Sequence, residues 1–155
     1  NREENKEYAI SILQQLDSFI DSDPKTSHEI TKITSLANSY LQLDANRTFR
    51  LIETATEPIN QYSKALTITS QFSNDGRVRD GEMLISMGIN ATNQFNLPQI
   101  FRTLKQTDYS QTMQLINRFE QNEVRVSLKL QLVNKIGNSK IINLPASSIR
   151  TIGFH

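Results

Sequence analysis

Two stretches of this chain obey one grammar, and that grammar leaves few folds open. Leu36, Tyr40, Asp44, Phe49, Leu51 and Ile52 align without gaps, 64 residues on, with Ile100, Leu104, Asp108, Met113, Leu115 and Ile116. In each stretch an amphipathic helix leads to an Asp that can cap the next helix, and a second amphipathic helix follows. One helix pair cannot bury its apolar side by itself, whereas repeated pairs bury it by stacking. The expected fold class is therefore all-α: stacked antiparallel helix pairs, as an α-solenoid-like right-handed array or an irregular bundle.

The rest of the chain fills in that frame. Tyr8, Ile12, Leu13, Leu16, Phe19 and Ile20 recur at helical spacing and predict a helix over 3–20, which Asp21-Ser22-Asp23-Pro24 stops. Thr26 and Glu29 have the spacing of a capping box and open a helix over 27–43. Asp44 caps the next, over 45–56. Pro58 interrupts it and serves as the first residue of another helix over 59–72. Helical spacing resumes after Pro98 and predicts helices over 97–106 and 108–121, the second capped by Asp108. The expected organisation is one helical domain over 1–136 with an extended tail over 137–155.

Two segments resist the frame. Residues 73–90 hold the turn signals Asn74-Asp75-Gly76 and Asp80-Gly81, and read as a long irregular connection or a small hairpin rather than a helix. Val124, Val126, Leu128, Leu130 and Leu132 alternate with Arg125, Ser127, Lys129 and Gln131, which is a strand period. A helix over 123–136 also satisfies them through Val124, Leu128, Leu132 and Ile136. Local pattern favours the strand, and the repeated grammar favours the helix, which we adopt. The tail carries Ile141, Ile142, Leu144, Ile149, Ile152 and Phe154 without helical spacing, with Pro145 among them. It should be extended and docked on the body or on something else.

Composition narrows the chemistry. Seventeen Lys and Arg against sixteen Asp and Glu leave a net charge of +1, and charged residues are only 21%. Roughly a third of the chain is Ser, Thr, Asn or Gln. That balance argues against a polyanion binder acting by bulk charge, and no basic stripe with interleaved aromatics marks a nucleic-acid site. No apolar run approaches the ~20 residues that span a bilayer. With no cysteine there is no disulfide or thiolate nucleophile. The chain starts at Asn1 rather than Met, which suits a mature form or a piece of a longer protein.

Catalytic constellations are not evident. His28 and His155 lack metal-ligand spacing with each other. Asp21, Asp23 and Glu29 have the residue types of a calcium loop, but Lys25 and the missing turn glycine argue against one. The five glycines are scattered, so no phosphate cradle exists. We expect no cofactor, no metal and no enzyme activity. Arg77, Arg79, Asp80 and Glu82, on the long connection, are the candidate contact residues.

The run Leu104-Lys105-Gln106-Thr107-Asp108-Tyr109-Ser110-Gln111-Thr112-Met113 resembles the inter-helix turn of a tetratricopeptide-type helix pair. Thr107 and Thr112 stand where that family has Gly and Ala, and its signature Trp and packing Pro are missing. More broadly, Phe72 to Ile136, with Arg79-Asp80-Gly81-Glu82 and Glu123-Val124-Arg125, resembles uncharacterised bacterial α-helical repeat segments. The resemblance implies a helical fold and no particular activity. The expected function is a non-enzymatic scaffold, part of a larger bacterial protein, that binds a protein or peptide partner. The alternative is a ligand-sensing bundle with a pocket near Tyr40, Tyr62 and Phe101.

Overall fold

Side-chain caps start four of the helices. The structure is a computed structural model that describes residues 1–73, 78–79 and 82–138. Asn1 and Glu4 close a capping box on α1, Arg2–Asp17. Thr26 and Glu29 close another on α2, Ser27–Tyr40: Glu29 N–H donates to Thr26 Oγ1 at 3.2 Å, and Thr26 N–H returns a bond to Glu29 Oε2 at 3.0 Å. Lys25 N–H also donates to that carboxylate, so backbone donors hold the Glu29 pKa below its ordinary value. Asp44 Oδ1 accepts from Arg47 N–H in the first turn of α3, Ala45–Ser73.

The second half follows in shorter pieces. Strands β1, Val78–Arg79, and β2, Glu82–Met83, pair antiparallel as a minimal hairpin. Then come α4, Ile85–Gln94, α5, Leu97–Thr107, α6, Tyr109–Asn117, and α7, Asn122–Asn138. Asn96 takes a left-handed φ of 53° in the tight turn from α4 into α5, a conformation Asn tolerates better than most residues. Asp108 Oδ1 accepts from Gln111 N–H and caps α6, as its spacing predicts.

The class is all-α, with seven helices among the described residues. α2 and α3 form an antiparallel pair: Thr48 Oγ1 donates to the Ala37 carbonyl near the turn, and Ile30 and Pro58 line one cleft further along. α5 packs on both, and α6, α7 and α4 gather around α5. Ile33, Tyr40, Ile52, Ala55, Ile100, Phe101, Leu104, Ile116 and Leu128 form one continuous core. Of the six pairs related by the 64-residue offset, four are buried at both positions (Leu36 and Ile100, Tyr40 and Leu104, Leu51 and Leu115, Ile52 and Ile116), whereas Met113 and the two Asp residues are not fully buried.

Several expectations are corrected. Residues 45–56 and 59–72 are not two helices, because α3 runs unbroken through Pro58. Proline inside a helix forfeits one backbone bond and costs about 3 kcal/mol. Ile52, Ala55, Ile59 and Ser63 are buried on both sides of it, and that packing holds the helix together. Residues 85–90, expected as the end of a long connection, instead open the helix Ile85–Gln94. Its inward face is Met87, Gly88, Ala91 and Thr92, mostly small residues that make no apolar stripe. α1 ends at Asp17 rather than residue 20, α2 at Tyr40 rather than 43, and α6 at Asn117 rather than 121.

The strand period of 124–132 resolves into a helix with two apolar sides. Val124, Leu128 and Leu132 face the core, while Val126, Leu130 and Val133 are exposed on the opposite side. Residues 137 and 138 belong to α7, and the rest of the expected tail, 139–155, lies outside the described residues.

Candidate functional site

The N-terminal helix is the least covered element of the fold. None of its residues is fully buried. It is held toward its C-terminal end, where Leu13 and, just past the helix, Ile20 pack against the core. Asp17 fixes the join: Tyr40 Oη donates to Asp17 Oδ2 at 3.2 Å, and Arg47 Nε lies 3.0 Å from the same oxygen. One carboxylate therefore ties α1 to the ends of α2 and α3. Burial, with the nearby Asp17 charge second, pushes the Tyr40 phenol above its ordinary pKa.

Beyond that join α1 carries a bare stripe. Tyr8, Ile12 and Leu16 recur at spacings of four and share one face, and Phe19 follows in the turn just past Asp17. Tyr8 is 69% and Phe19 78% exposed, with Ile12 and Leu16 near half. The stripe continues into a groove of about 460 Å³ between α1 and α2. Leu16, Phe19 and Ile20 form its apolar wall, and His28, Lys32 and Ser35 stand opposite. An apolar surface with a polar, partly basic rim suits an amphipathic segment that lays one face down and turns the other outward.

Of the four contact residues singled out from sequence, only Arg79 and Glu82 fall among the described residues. Arg77 and Asp80 lie outside the described residues. Arg79 is exposed on β1, and backbone pairing sets it opposite Glu82 on β2. The carboxylates of the calcium-like run serve local structure: Asp21 accepts from Asp23 N–H, Asp23 pairs with Lys25, and Glu29 caps α2. His28 is exposed in the first turn of α2. Among the described residues no group of three His, Cys, Asp or Glu could hold a metal ion.

The three aromatics of the ligand-pocket alternative belong to the core or pack against it. Tyr40 and Phe101 are buried core side chains, and Phe101 meets the Phe119 ring edge-on at 6.0 Å. Tyr62 stands edge-on to Phe95 and donates to Gln94 Oε1 at 2.7 Å. The α1 surface was missed because its residues read as core. The available signal was width: six apolar residues over two adjacent rows exceed what one neighbouring helix covers.

No helix among the described residues is long and apolar enough to cross a membrane. No family model, no curated protein and no solved structure matches the chain.

Proposed function

We propose that this chain is a non-enzymatic helical-repeat scaffold that binds a protein or peptide partner, seated on the outer stripe of α1 and the groove beside it. One observation carries the reading: Tyr8, Ile12 and Leu16, on one face of a well-capped helix, and Phe19, in the turn that follows it, are left in solvent. Covering the bare parts of four such side chains contributes on the order of 4–6 kcal/mol before the cost of association. The dense packing of Tyr40 and Phe101 weighs against the ligand-sensing alternative.

The test places a photo-reactive side chain at position 19, and separately at the exposed position Gln99 as a control. Crosslinking in the source cells is expected to join position 19 to a discrete polypeptide and position 99 to none. Leu16→Asp is expected to abolish the crosslink. A crosslink indifferent to Leu16→Asp, or none at all alongside a small molecule retained in native mass spectrometry, overturns the reading.

A further inference from the structure

The outer side of α7 is a second bare apolar face, and the sequence itself holds a segment suited to cover it. Val126, Leu130 and Val133, at spacings of four and three, are 40%, 48% and 59% exposed. They lie opposite the buried Val124, Leu128 and Leu132. A helix with two apolar sides is one meant to be covered on both. We propose that this face is a docking site for residues 139–155 of the same chain, which lie outside the described residues.

Three observations select that occupant. First, the segment follows directly from Asn138, the last residue of α7. Second, reach is ample. The face from Val126 to Val133 is about 10 Å long at 1.5 Å per residue, while residues 139–144 alone span roughly 20 Å when extended. Third, the chemistry fits. Ile141, Ile142, Leu144, Ile149, Ile152 and Phe154 occur among only two charged residues, Lys140 and Arg150, so the segment is too apolar for a solvated tail. Tethering also sets its local concentration near the millimolar range, above that of a second copy at ordinary protein concentrations. The face on α7 is then satisfied within the chain, and the α1 stripe is left for another molecule.

The absence of cysteine makes the test direct. Leu130→Cys combined with Leu144→Cys is expected to oxidise to an intrachain disulfide at least tenfold faster than Ser39→Cys, exposed on α2, combined with Leu144→Cys. Equal rates overturn the proposal. So does a disulfide that joins two copies and quickens with protein concentration, which would assign the face to self-association. A second measurement uses the full chain without cysteines. Leu130 is half-exposed, so Leu130→Asp leaves the body folded. It is expected to speed tryptic cleavage at Lys140 and Arg150 by at least fivefold, and unchanged cleavage overturns the proposal.

Discussion

Gly88 on α4 lies directly against the backbone of Glu123 on α7: a Cβ at position 88 would stand 2.7 Å from the Glu123 carbonyl oxygen. Four residues further along both helices, the buried hydroxyls of Thr92 and Ser127 meet at 3.3 Å. The two helices thus run side by side in the same direction, with backbone and small side chains at the seam. Gly88→Ala gains about 1 kcal/mol of helix propensity but forces the seam apart, and overpacking of this kind costs about 1–3 kcal/mol. We expect a net loss of up to about 2 kcal/mol, toward the upper end because the clashing atom is backbone, read as a lower urea midpoint. A neutral or stabilising outcome would show that α4 and α7 do not approach this closely.

Asn60 acts as a buried clamp between α3 and the turn before α7. Its Oδ1 accepts from Glu120 N–H at 3.0 Å and its Nδ2 donates to the Arg118 carbonyl at 3.2 Å, with the residue 4% exposed. Replacing it with Leu strands two backbone groups, at about 1–3 kcal/mol each. The flanking ion pairs, Lys64 with Glu120 and Arg118 with Glu53, are about half-exposed and contribute at most about 1 kcal/mol. Asn60→Leu should therefore lower the urea midpoint far more than Glu53→Gln or Lys64→Gln. The reverse ranking would place the attachment in the surface charges.

Alkaline pH should loosen the join of α1 through Tyr40. The phenol is buried and bonded to Asp17, so its folded pKa lies above the unfolded value of 10.0. The proton is held more tightly in the folded state. The associated stability is complete below about pH 10 and is lost as pH rises through the folded pKa. Wild type should lose urea stability above pH 10 more steeply than Tyr40→Phe, which has no phenol to ionise at this site. Parallel curves would refute the assignment.

These particulars show what was legible before the structure. Caps were readable because they depend on two or three neighbouring residues: Thr26 with Glu29, and Asp108, act at their expected places. Long stripes were readable because burial follows helical spacing, as at Ile30, Ile33, Ala37 and Tyr40. α4 was not, because its inward face is built from Gly88, Ala91 and Thr92, whose value lies in close approach rather than hydrophobicity. Continuity through Pro58 depends on burial of Ile52 and Ile59 in the core, where α3 packs mainly against α2, and no local rule contains that tertiary packing. The alternation in α7 misled for the opposite reason: two apolar sides of one helix imitate a strand. The candidate surface on α1 was hidden by the same ambiguity, since spacing identifies a face without saying whether anything covers it.

Substitution on α1 separates an apolar face that stabilises the fold from one held out for a partner. Phe19 is 78% exposed, so Phe19→Ser removes little packing and should change unfolding free energy by less than about 0.5 kcal/mol. Phe101 is completely buried, and Phe101→Ala should cost about 3–5 kcal/mol through lost transfer energy and the cavity left behind. Ile20, partly buried against the core, should fall between them as Ile20→Ala. Urea denaturation of the three variants gives the order directly. If Phe19→Ser proves as costly as Ile20→Ala, then the outer stripe is already engaged within the folded chain, and a partner has no open face on α1 to occupy.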